Sequence, residues 1–182
     1  VTKGYKGLKT FFKNSVHQID YEQKGYCVVP FLSPNEIEWL LSVYEANFKT
    51  QYIVGLYPTH SQIGYELTEK LNREIELAFK RGLDELFEQY QFFIGHYMVK
   101  SVVDSQEFEL HQDWSIVEEN KYPVAQIWCP LADTGPENGG LFLISGSHRY
   151  FNNYRSGSLH RFHITARGAL GNYIRPLNVK AG

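Results

Sequence analysis

Apolar residues recur with two different periods along the chain, helical in the first half and alternating in the second. "YCVVPF" at 26–31 is β-branched and aromatic behind Gly25 and predicts a strand. Ser33 then stands where a helix N-cap belongs, with Pro34 at the first helical position and Glu36 closing a capping box. Ile37, Leu40, Leu41, Tyr44 and Phe48 return on one face of that helix. A second, longer helix is predicted over 62–90 by the stripe Leu67, Leu71, Ile75, Phe79, Leu83 and Leu86, which is core packing and carries no chemistry. The segments 91–99, 108–114, 123–131, 140–146 and 172–179 read as strands, separated by turns such as "ADTGPENGG" at 132–140. Helices first and strands afterwards argue for an α+β domain over residues 1–182, with helices packed on antiparallel sheet.

Ahead of these elements, Lys3, Lys6, Lys9 and Lys13 surround Leu8, Phe11 and Phe12, the pattern of a short basic amphipathic helix packed on the domain rather than on a membrane. Composition agrees with a globular chain: 43% hydrophobic, 21% charged and rich in aromatic residues, with 13 Tyr and 12 Phe. A net charge of -2 points to no nucleic acid partner. No stretch approaches the length of a membrane span, and the first residues do not form a secretory signal. Cys27 and Cys129 lie in apolar runs and read as buried thiols of a reducing compartment, which predicts a cytoplasmic protein.

One short stretch carries candidate chemistry. In "ELHQDWS" at 109–115, His111 and Asp113 stand two apart, so on a strand they share one face with Glu109. An imidazole and a carboxylate side by side suit Fe(II), whose two-histidine, one-carboxylate site leaves positions open for cosubstrate and oxygen. With seven His and five Asp in the chain, such a pair arises by chance about one time in five, so the bare motif is weak. Its context decides the matter.

After His111-Gln112-Asp113 come a strand bearing Trp128, the Asn138-Gly139 turn, and an apolar strand ending in Gly146-Ser147-His148. This order resembles the phytanoyl-CoA dioxygenase family of Fe(II)/2-oxoglutarate oxygenases. "KGYCVVPFLSPNEIEWL" near the start is similar to the family's opening, and "NVKAG" at 178–182 to the strand before its last metal ligand, so the resemblance covers about residues 20 to 182. It implies a double-stranded β-helix (a cupin-like jelly roll) with the N-terminal helices packed on one sheet. It implies Fe(II) held by His111 and Asp113, 2-oxoglutarate as cosubstrate, O2, and hydroxylation of a small-molecule substrate. Related halogenases lack the carboxylate ligand, and Asp113 is present. Trp128 matches a position lining the cosubstrate pocket, with core packing as the alternative. Lys100 is a second candidate for that pocket, with a solvated strand edge as the alternative. His148 and the adjacent Arg149 fall at the mouth of the site as substrate-binding candidates, and a polar turn stabilising its own loop is the other reading of His148.

The family's second histidine ligand, and the arginine that pairs with 2-oxoglutarate, have no counterpart before Gly182. The resemblance therefore implies a jelly roll incomplete at its C-terminal end, and a 182-residue piece inactive by itself. His160 and His163 in "HRFH" lie in a loop-like region and are not expected to supply the third ligand. From Asn138 onward the chain has no Asp or Glu, and Arg149, Arg155, Arg161, Arg167, Arg175 and Lys180 give it +6, against -8 for residues 1–137 with twelve basic and twenty acidic residues. Arginine's planar fork suits carboxylate and phosphate, so this stretch is a candidate for holding an anionic substrate, or a solvated face. The competing functions are a non-catalytic jelly-roll binding protein that has lost a complete metal site, and a cupin-like metal enzyme of other chemistry.

Overall fold

The computed structural model describes residues 10–103, 110–113, 117–118, 121–150 and 170–182. Among the described residues, four α-helices and two small antiparallel sheets make a mixed α+β arrangement. Helix α1 spans Ser15–Lys24, α2 Pro34–Phe48, α3 Thr59–Gln62 and α4 Tyr65–Leu86. Strand β1 (Leu56–Pro58) pairs with β2 (Met98–Lys100), and β3 (Phe142–Leu143) with β4 (Arg175–Pro176). No helix among the described residues is long and apolar enough to cross a membrane.

Helix α2 begins as its sequence predicts. Glu36 accepts the Ser33 backbone N–H at 2.6 Å, Ser33 Oγ accepts the Glu36 N–H at 3.4 Å, and Pro34 opens the first turn. Arg81 of α4 reaches across to Glu36 at 2.8 Å and donates to the Phe31 carbonyl at 2.7 Å, pinning the two helices together at this end. Between them lies the core, with Leu40 and Phe48 from α2 and Leu71, Ile75, Ala78 and Leu83 from α4 buried. Leu67, Phe79 and Leu86 pack on it half-buried, whereas Leu41 belongs to the exposed face. The long helix is shorter than the stripe predicts, because Ile63 and Gly64 are extended and separate α3 from α4.

Helix α1 has no apolar stripe strong enough to read from the sequence. Asn14 caps it by accepting from the Val16 N–H at 2.8 Å, and Gly25 ends it at φ 85° with its N–H on the Tyr21 carbonyl. Phe12, just ahead of it, is buried against Phe87. Residues 3–9 of the expected basic helix lie outside the described residues.

The expected strands are mostly extended segments with short ladders. Pro30, Pro123, Pro130 and Pro176 remove ladder donors from three of them. In the others, Gly95 donates to Asn72 Oδ1 and Gly146 to the Lys24 carbonyl instead of to a neighbouring strand. The alternation itself survives. Ile127, Cys129 and Leu131 pack on the core while Trp128 does not. The strand expected over 172–179 opens instead within a 3-10 turn, Gly171–Tyr173.

The C-terminal residues lace these segments together. Phe31 and Leu32 both donate to the Gly182 carbonyl, Gly182 donates to the Pro130 carbonyl, and Thr134 forms an antiparallel bridge with Val179. "NVKAG" thus lies between the segment that precedes α2 and the one bearing Trp128.

Candidate metal centre

The ladder β1–β2 leads up to a pair of histidines. Its register, Leu56↔Lys100, Tyr57↔Val99 and Pro58↔Met98, turns Tyr57 and Val99 to the core. The pairing continues past the strand ends. Thr59 donates to the Tyr97 carbonyl and Tyr97 to Thr59 Oγ1, both at 3.0 Å, and both residues are buried. His60, in α3, and His96, two residues ahead of β2, bring their rings together edge to face with centroids 4.3 Å apart. His60 Nδ1 is buried and has no hydrogen bond.

His111 and Asp113 come together as their parity predicts. His111 Nε2 donates to Asp113 Oδ1 at 3.2 Å, the carboxylate being able only to accept. Residues 110–113 belong to no strand. The Asp113 side chain is 50% exposed and that of His111 23%. The sequence led us to expect a shared face on a regular strand with an enclosed interior. The structure gives the pair without the ladder, and without a ladder nothing turns Asp113 fully inward. Glu109, the third member of the expected face, and Trp114 lie outside the described residues.

Two metal ligands of one ion, each about 2.1 Å from it, stand about 3 Å apart when they are neighbours. The observed separation matches that edge, and one neutral nitrogen beside one anionic oxygen is the donor set Fe(II) takes. The two residues fit such an ion. Among the described residues no group of three or more His, Cys, Asp or Glu is placed to hold a metal.

Asp113 also bears on a residue that the sequence did not single out. It acts electrostatically on His96, whose pKa is lowered by burial first and by His60 second, with Asp113 working against both. The approach of His60 to His96 follows from the β1–β2 register, which no local signal in the sequence specifies.

The remaining candidates are placed as follows. Lys100, exposed at the end of β2, lays its stem over the Asn138-Gly139 turn, with its Cδ about where a side chain on Gly139 would begin. Trp128 is exposed at 38%, on the face of its segment turned away from the core. His148 donates Nε2–H to the Glu22 carbonyl at 3.1 Å, and Arg149 donates to the Gln23 carbonyl at 2.7 Å. Both therefore serve the C-terminal end of α1, where basic groups complement the unpaired carbonyls. His160, His163, Arg155, Arg161 and Arg167 lie outside the described residues. Cys27 and Cys129 are free thiols, and burial pushes the Cys129 thiol up to about 11.

The sequence profile of the phytanoyl-CoA dioxygenase (PhyH) family matches residues 21–182. The chain belongs to this family. Phytanoyl-CoA dioxygenase family members are oxygenases of the Fe(II)/2-oxoglutarate type, and membership implies that general class of activity. No curated protein and no solved structure gives a significant match.

Proposed function

We propose that the chain is an Fe(II)- and 2-oxoglutarate-dependent oxygenase that hydroxylates a C–H bond of a small organic substrate, with His111 and Asp113 as two of its metal ligands. The 3.2 Å contact between an imidazole nitrogen and a carboxylate oxygen, in a member of this family, carries the reading. The extended segments laced by residues 175–182 are, on this reading, part of a double-stranded β-helix. Bound Fe(II) with 2-oxoglutarate and O2 supplies the oxidising power, and the protein supplies binding and orientation.

The pair's own chemistry follows from its hydrogen bond. His111 carries its proton on Nε2, the atom that must face the metal. Binding would need Nε2 free of its proton, with the neutral ring in the tautomer that carries it on Nδ1. Asp113 would supply the anionic ligand in place of its contact with the ring. We assign Lys100 to the carboxylates of the cosubstrate, as an ammonium next to the Asn138-Gly139 turn, and Trp128 to an apolar wall beside it.

Succinate formed from 2-oxoglutarate with Fe(II) tests the reading. In a protein that carries the family's full set of metal ligands, Asp113→Ala is expected to lose at least 100-fold in that turnover with its circular dichroism unchanged. Undiminished succinate from the variant, or wild-type turnover indifferent to Fe(II), would sink it. Tight binding of 2-oxoglutarate with no turnover would favour the non-catalytic alternative.

A further inference from the structure

We infer that Gly139, in a turn locked by Asn138, is a positioning residue for the Lys100 ammonium, and so for the cosubstrate carboxylate that this ammonium meets. The inference rests on the reading of Lys100 as a cation of the cosubstrate site, and adds residues that the family match does not assign.

Three observations carry it. The first is contact. A Cβ on Gly139 would stand 3.0 Å from Lys100 Cδ and 3.8 Å from both Cε and Nζ. The end of the lysine therefore lies over the bare glycine, and any side chain at 139 would take space that its stem uses. The second is the stiffness of the platform. Gly139 stands at φ 88°, and Asn138 ties the turn through both ends of its amide, accepting from the Gly135 N–H at 2.7 Å and donating to the Asp133 carbonyl at 2.8 Å. Gly140 adds a bond to the Gly135 carbonyl at 2.8 Å. The Asp133 carboxylate accepts from the Ala181 N–H at 2.9 Å and from Lys180 Nζ at 2.6 Å, and Thr134 pairs with Val179, so the turn is fastened to the C-terminal segment. The third is the fixed root of the lysine. Lys100 pairs with Leu56 in the β1–β2 ladder, and the next residue, Ser101, donates to the Gly55 carbonyl at 2.9 Å. With root and platform both fixed, the glycine face limits where a flexible four-carbon stem can carry its charge. An ammonium binds a carboxylate as a point charge, by where it stands rather than through a planar fork. Limiting its positions beforehand lowers the ordering cost of binding.

Calorimetry of 2-oxoglutarate binding, on a protein that carries the family's full set of metal ligands and is loaded with Zn(II), reads this without turnover. Asparagine tolerates a left-handed φ but brings a Cβ, so Gly139→Asn tests the space rather than the strain. It is expected to weaken 2-oxoglutarate about tenfold, and Lys100→Met to weaken it about tenfold or more, the worth of one charge-assisted hydrogen bond. The double variant is expected to bind no more weakly than Lys100→Met alone, because the glycine acts through the lysine. Asn138→Ala unlocks the turn without filling the space; it is expected to weaken binding several-fold and provides a second test should Gly139→Asn fold poorly. In the metal-free chain with isotope-labelled methyl groups on its lysines, the Lys100 resonance, assigned by its loss in Lys100→Met, is expected to shift in Gly139→Asn. Binding unchanged in Lys100→Met would overturn the reading of Lys100 and this inference with it. A Gly139→Asn effect that persists in full beside Lys100→Met, or binding that needs Lys100 but is unchanged in both Gly139→Asn and Asn138→Ala, would overturn this inference alone.

Discussion

Gly82 of α4 lies directly against Phe31, so close that a Cβ on Gly82 would stand 2.5 Å from the Phe31 ring and 2.8 Å from its carbonyl oxygen. The contact seats the segment leading into α2 on the long helix, next to the Arg81–Glu36 pair. In an exposed helix, Gly→Ala stabilises by about 1 kcal/mol. Here the added methyl meets backbone as well as ring, and overpacking of this kind costs about 1–3 kcal/mol. Gly82→Ala is therefore expected to lower stability by about 1–2 kcal/mol in denaturant unfolding. A stabilised variant would show that Phe31 is free to move away.

The Glu36–Arg81 pair gives acid unfolding a definite window. The Arg81 guanidinium, with the Ser33 N–H and hydroxyl helping, holds the Glu36 carboxyl at about 2, down from an ordinary 4.5. A depressed folded-state value means the stabilisation is complete above about pH 4.5 and is lost as pH falls towards 2. The Arg81 side chain is 44% exposed, so solvent screens the pair and we expect about 1–2 kcal/mol rather than the full linkage value. Glu36→Gln retains a capping-box side chain but no charge. Its stability should be lower than wild type at pH 7 and should converge with it near pH 2. A constant difference between the two proteins across that range would rule the pair out as the cause.

Thiol chemistry checks the packing of the Trp128 segment. Burial raises the Cys129 pKa to about 11 from 9.0, and the nearby Glu36 adds to the rise. Two pKa units leave about 100-fold less thiolate at pH 8, before access is considered. Cys129 should react with a disulfide reagent at least 100-fold slower in the native protein than in denaturant. Equal rates would mean that Ile127, Cys129 and Leu131 are not packed on the core as the structure has them.

Local signals carried the parts of the fold that rest on local rules. Ser33, Pro34 and Glu36 announce the start of α2, and the stripe from Leu67 to Leu86 announces α4, because caps and helical periodicity are written within a few residues of one another. His111 and Asp113 were legible for the same reason, being two apart. The pairing of His60 with His96 was not, since 36 residues and one long helix separate them. Strand lengths were overread where alternation continued through prolines that cannot donate to a ladder. Helix α1 was missed because it is held by Asn14, Gly25 and an aromatic contact rather than by an apolar stripe of its own.

The end of α1 separates the two readings of His148. Gly25 takes φ 85°, a conformation that disfavours other residues, and a Cβ there would run into the His148 ring, whose Nδ1 is the first atom it meets. The His148 Nε2–H and the Arg149 guanidinium occupy the Glu22 and Gln23 carbonyls that the helix leaves open. If this is their main work, His148→Ala should cost about 1 kcal/mol of stability through the lost hydrogen bond. Gly25→Ala should cost more, since it adds backbone strain to the clash. The double variant should recover the part due to the clash but not the part due to φ, so the two changes should be non-additive. Metal binding by His111 and Asp113 should be unaffected in His148→Ala. A variant of unchanged stability whose apparent KM for substrate rises about tenfold would return His148 to the mouth of the site.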